Sequence, residues 1–226
     1  MNCANPNIPE VVACLDVGSP KSGNVGWAVL HCGEKKFGRH LPQFIDQLVL
    51  HLEMGRTAAI GFECPLYIPK RDDPMEMTSA RLGEVGVNWC GGPGGSVLAT
   101  GLVQVHWVLR HLAQRVFQLA ASTRWQDFCY RNVQLFIWEA FITSTGGVTV
   151  SEGLPDKNAA SDHERDAICG AMAFAALSKK QTAVTSDLRQ EPAISLVGMH
   201  MLNTGLATDW GLLNETCVVL KVRKPT

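Results

Sequence analysis

The sequence predicts an α/β domain built on one largely buried sheet, and three observations lead there. Residues 11–17 (VVACLDV), 58–64 (AAIGFEC) and 133–141 (VQLFIWEAF) are short, mostly apolar runs, each carrying a single acid. Such runs fit strands covered on both faces. Stretches with helical spacing alternate with them, the pattern of a sheet layered with helices. The third observation is length: 226 residues suffice for one domain with a substantial core and are short for two.

The first strand, residues 11–17, carries Asp16 at its end. After the Gly-, Pro- and Ser-rich GSPKSGN, GWAVLHC reads as a second strand. A turn through Cys32, Gly33, Glu34 and Lys35 leads into a short third one, KKFGRH, so residues 11–40 form an antiparallel meander. Leu41, Phe44, Ile45, Leu48 and Leu52 make a helical stripe over residues 41–54, closed by Gly55. Residues 58–64 are the next strand, broken by Pro65. Residues 66–96 show no clear periodicity and hold the glycine-rich CGGPGGS; irregular chain of that length is usually functional or mobile.

A long helix comes next, with Leu98, Val105, Val108, Leu109, Leu112, Val116 and Leu119 along one side. The 133–141 strand and a Gly/Ser/Thr-rich loop follow. Ser161 and Glu164 then form a capping-box pattern at the head of a helix over 162–177. Its Ala167, Gly170, Ala171, Ala173, Ala175 and Ala176 let it pack very closely on a sheet. In the tail, CVVLKV at 217–222 reads as a strand, whereas ISLVGMHMLNTG fits strand or helix.

Composition narrows the function. With 20 Lys+Arg against 21 Asp+Glu and a net charge of −1, the chain has no general cationic coat for nucleic acid or membrane. An acidic substrate would have to be met by a few placed cations or by metal ions. The eight cysteines stand singly, with no CxxC pair, so neither a zinc ribbon nor a thioredoxin-like motif is present. Cys14, Cys64 and Cys169 read as small apolar fillers. The N-terminus lacks a basic region followed by an apolar run, and polar residues interrupt the most apolar stretch, 97–121. A reduced, cytoplasmic, soluble protein is the expectation.

The placing of carboxylates is the informative pattern. Asp16, Glu63 and Glu139 each lie in or at the end of an apolar strand, where a buried carboxylate is costly unless paired or bound to a cation. Side chains from neighbouring parallel strands converge at their carboxyl ends, so three such acids suggest one site. Asp162 and Asp166 are four apart on one face of the small-residue helix. Converging carboxylates without a Cys or His ligand set suit a hard, oxygen-seeking cation, Mg²⁺ or Mn²⁺. Two such ions roughly 4 Å apart activate water and stabilise the leaving oxygen of a phosphodiester.

These elements resemble the ribonuclease H-like superfamily. Asp16 matches its first-strand Asp, Glu63 its fourth-strand acid, and SDHERDAICGAMAFAAL resembles the last helix of RuvC-type resolvases, with Asp166 in the place of the helix acid. Asp16 followed by Gly26-Trp27, the acid–x–Pro of Glu63-Cys64-Pro65, Glu139 and the acidic helix together look most like an uncharacterised bacterial family of predicted ribonuclease H-like nucleases. The resemblance covers about residues 10–178, leaving 179–226 as a C-terminal extension of a single domain. It implies a five-stranded mixed sheet in the order 3-2-1-4-5 with helices on both faces, and a metal-dependent nuclease. Asp16, Glu63, Asp162 and Asp166 would be metal ligands, and Glu139 and His163 would join Asp16, Glu63 and Asp166 in catalysis. His163 can shuttle a proton or hold the attacking water. Lys21, Lys70 and Arg71 are the candidate substrate contacts. Nucleic acid is the expected partner and a membrane is not; a homodimer is compatible with this reading.

Two other functions fit the same residues. One is an interaction module that keeps the fold and not the chemistry. The other is an actin/sugar-kinase-like phosphotransferase, for which LDVGSPKSG and Asp209-Trp210-Gly211 would be phosphate loops; its two domains need nearly twice this length. CGGPGGS, directly before a helix, can present N–H groups to a phosphate but lacks the GK[ST] of a P-loop, and reads as a surface loop.

Overall fold

The computed structural model describes residues 8–84, 88–143, 146–150, 153–156, 158–180 and 184–223; Cys3 and parts of the 143–161 loop lie outside them. The meander forms as expected: β1 (Val11–Asp16), β2 (Gly26–His31) and β3 (Glu34–Gly38) pair antiparallel. After α1 (Leu41–Glu53) come β4 (Ala58–Phe62) and a short β5 (Tyr67–Pro69). The long helix α2 is Pro93–Arg115, so the glycine-rich segment expected as a surface loop supplies its first turn. The chain continues through β6 (Ala121–Ser122), α3 (Trp125–Cys129), β7 (Leu135–Thr143), β8 (Val148–Thr149) and α4 (Asp162–Lys180). ISLVGMHMLNTG splits into β9 (Ala193–Ser195) and α5 (Leu196–Thr204), and the last described element is β10 (Val219–Arg223).

Among the described residues the main sheet is mixed and has eight strands, in the order β3-β2-β1-β4-β7-β10-β8, with β6 also pairing β7. Its first five positions follow the expected order, with β7 in the fifth place. The expected limit of five strands is corrected, because β7 is not an edge. Parallel β10 binds its second half, from Glu139 onward, and β6 its first residues. The tail therefore completes the sheet. Among the described residues no helix is long and apolar enough to cross a membrane.

Strand alternation divides the core into two layers. Val11, Ala13 and Leu15 of β1, with Ala58, Ile60 and Phe62 of β4, pack against α1, α2 and α5. Val12 and Cys14, with Ala59, Phe136 and Trp138, face α3 and α4. Helices thus cover both faces, as expected.

Helix α4 lies unusually close to the sheet. A Cβ on Gly26 would stand 2.2 Å from the His163 carbonyl carbon, and one on Gly170 2.7 Å from Cys14 Sγ. The capping box holds the helix start: Ser161 N–H donates to Glu164 Oε2 at 2.8 Å and Glu164 N–H to Ser161 Oγ at 3.3 Å. Gly26→Ala must push backbone rather than a flexible side chain, so it is expected to lose about 1–3 kcal/mol of stability, read from urea denaturation.

On the other face α2 and α5 bring His106 and His200 together, with ring centroids 5.5 Å apart. Burial, and then the neighbouring His106, pull His200 down to about 4. The unfolded chain protonates this histidine near pH 6.5, so the unfolded state binds the extra proton and stability falls as pH drops from about 6.5 towards 4. His200→Gln should shrink the difference in urea midpoint between pH 7 and pH 4.5; an unchanged difference would remove His200 as its source.

Candidate metal centre

Asp16 closes β1 and Glu63 follows β4 directly, its N–H donating to Leu15 O at 2.8 Å to continue the parallel pairing. Both side chains stand on the α4 face, in phase with Cys14 and Ala59. Asp166 comes down from the second turn of α4. These three carboxylates each offer an oxygen within 4.8 Å of the others, with Asp16 and Asp166 buried and Glu63 half-buried. Three oxygen donors this close form a donor set suited to a hard divalent cation. His163 Nδ1 donates to Asp16 Oδ2 at 2.6 Å, which fixes that carboxylate's orientation in the manner of outer-shell partners of metal ligands.

The other predicted site residues are placed differently. Glu139 is buried, but its phase along β7 matches Leu135 and Ile137, which face α2. Its carboxylate is therefore on the opposite face from Asp16 and Glu63, outside the group of three. Arg81 donates to both of its oxygens, at 2.8 and 2.7 Å, and Leu66 N–H donates to Oε2 at 2.9 Å. These bonds give Glu139 the place of an anchor, apart from the group of three. Asp162 is also outside the group: it is exposed in the first turn of α4, where the helix dipole favours a negative charge.

Two of the three basic candidates are engaged by other side chains. Lys21 is exposed in a short 3₁₀ turn, Pro20–Ser22. Lys70 Nζ donates to Asn214 Oδ1 at 2.6 Å, and Arg71 pairs with Glu191 at 2.6 Å while donating to Ser79 and Ala80. Both pin residues 66–84 to the rest of the protein. Asp209, in the segment likened to a phosphate loop, caps a 3₁₀ turn and pairs with Arg124.

A cavity of about 240 Å³ opens beside the acids, lined among others by Asp16, Glu63, Arg81, Glu84, Trp89 and Glu139. Cys64 borders it too, but burial, first, and the nearby acids push its thiol well up, so it is a filler and not a nucleophile. A second cleft of about 550 Å³, walled by Arg124, Glu191 and Glu215, shares none of these lining residues.

No family model, curated protein or solved structure matches the chain. The geometry has to speak for the site.

Three contributors were missed in the sequence. Arg81 and Glu84 are buried in a stretch with no periodicity; Arg81 also lies over the Tyr67 ring, 4.8 Å from its centroid. Its neighbouring carboxylates, Glu139 first, outweigh desolvation and hold the guanidinium protonated. Gln104 is a buried amide on the apolar side of α2. It exchanges hydrogen bonds with the N–H and carbonyl of Gly18 and so fixes the loop leaving Asp16. A polar residue on an apolar stripe was the available signal.

Arg81→Met would leave Glu84 and Glu139 buried without their cation, a loss expected at about 3–5 kcal/mol. Glu139→Gln keeps the shape and part of the hydrogen bonding and should lose less. Chemical denaturation of both variants checks the order.

Proposed function

We propose that the chain is a metal-dependent phosphodiester hydrolase of the ribonuclease H-like type, acting on nucleic acid with Mg²⁺ or Mn²⁺. The observation that carries the reading is the convergence of Asp16, Glu63 and Asp166 within 4.8 Å. The strand order β3-β2-β1-β4-β7, with two of the acids at the carboxyl ends of adjacent parallel strands, supports it as well.

Asp16, Glu63 and Asp166 would hold the cation. When bound, such an ion lowers the pKa of a water and offsets charge on a phosphodiester. The protein's own part is positional. β1 and β4 present Asp16 and Glu63 side by side, α4 supplies Asp166, and His163 Nδ1 keeps Asp16 in one orientation. Preorganised carboxylates of this kind avoid rearrangement at the moment of reaction. Pro65, Val97 and Ile142 give the cavity apolar wall beside the acids.

Mn²⁺ binding should raise the melting temperature of the wild-type chain, since a ligand held only by the folded state stabilises it. Asp16→Asn is expected to abolish that rise and to cut metal-dependent cleavage of nucleic acid by at least about a hundredfold. A full thermal shift and unchanged cleavage in this variant would remove Asp16 from the centre.

A further inference from the structure

The cavity beside the acids has a second wall that metal binding does not explain. Trp89 lines it and is anchored twice. Its Nε1–H donates to the Ser79 carbonyl at 2.9 Å, and its backbone N–H donates to Glu84 Oε2 at 3.3 Å. Glu84 is gripped by Arg81 at 2.8 Å, and Arg81 by Glu139, so the indole is tied through a buried ion network to the sheet. With its one polar ring atom engaged, what the indole can add to the cavity lining is apolar, aromatic surface.

Charge decides which part of a nucleotide can enter. Asp16, Glu63, Glu84 and Glu139 border the cavity against one guanidinium, Arg81, whose donors are already given to Glu84 and Glu139. Among the described lining residues Arg81 is the single cation, so away from a cation held by Asp16 and Glu63 a phosphate would meet like charge. A neutral planar base would not. At about 240 Å³ the cavity is smaller than the roughly 300–1,000 Å³ of drug-sized sites, which limits the occupant to a single ring system.

We propose that this cavity receives one unpaired nucleobase against Trp89, leaving its adjoining phosphodiester at Asp16, Glu63 and Asp166. The inference rests on the nuclease reading and adds a substrate class: nucleic acid with an unstacked nucleotide, either single-stranded or extruded, and not intact duplex. Inside a duplex both faces of a base are covered by its neighbours, so a base must leave the stack before it can pack on an indole.

The test uses the full chain and labelled DNA and RNA oligonucleotides, each as a single strand and as its fully paired duplex. Binding is read by fluorescence anisotropy with Ca²⁺ in place of Mn²⁺, and cleavage with Mn²⁺. Single strands should bind and be cut at least about tenfold better than duplexes, and Trp89→Ala should weaken single-strand binding at least about fivefold. The variant's Mn²⁺ thermal shift should be unchanged, and Trp89→Phe should retain most of the affinity. If Trp89→Ala does not fold, Trp89→Leu keeps the apolar bulk without the aromatic face. Equal binding and cleavage of both forms, or wild-type single-strand affinity in the Trp89 variant that folds, overturns the inference and leaves the nuclease reading standing. Metal-dependent cleavage of no form overturns both.

Discussion

Where two side chains are missing, helix and sheet come together, and the acidic centre depends on that approach. A Cβ at Gly26 would overlap the backbone at His163, and one at Gly170 would crowd Cys14. Without them α4 settles directly onto β1 and β2, and Asp166 reaches the level of Asp16 and Glu63. Ordinary side chains at these positions would hold the helix carboxylate away from the strand carboxylates. The same contact brings His163 to within 2.6 Å of Asp16. Close packing thus does electrostatic work here: it concentrates three carboxylates, an arrangement that is costly alone and favourable around a cation.

The period of two along a strand then sorts the strand acids. Asp16 and Glu63 are in phase with residues covered by α4. Glu139, next to Phe62 in register, is in phase with residues covered by α2. Each face treats its acids differently. Under α2 the buried carboxylate receives a guanidinium from the chain itself, Arg81, together with the Leu66 N–H. On the α4 face the acids are gathered into a donor set with an imidazole beside one of them.

Segment 66–84 links the two faces at the end of the sheet. It has little regular structure, yet it is held by bonds to distant parts of the chain. Tyr67–Pro69 pair with Ala193–Ser195, Arg71 with Glu191, and Arg81 with Glu139. Its order comes from polar partners far away in sequence, and Ser79 and Glu84 within it hold Trp89 by hydrogen bonds. Such a segment can be well placed without helical or strand periodicity.

Asp16 and Glu63 were legible in the sequence because each is a lone acid in an apolar strand run, and Asp166 because it opens the small-residue part of a helix; burial of a charge always calls for a reason. The meander, α1 and the close seat of α4 were legible from periodicity and from small residues. Arg81 was not, because its partner Glu139 lies 58 positions away and nothing local marks a side chain whose role is set by a distant one. The face that Glu139 takes was not legible either, because an acid in a strand looks the same whichever face it takes; only the pairing of β7 with β4 assigned that face. The eighth-strand total likewise waited on the fold, since the tail's strand reads the same locally wherever it pairs. The sequence by itself determined which residues had to be buried and which of those carried charge. Tertiary structure alone decided which charges met, because that depends on register, strand phase and the distance at which a helix can lie on a sheet.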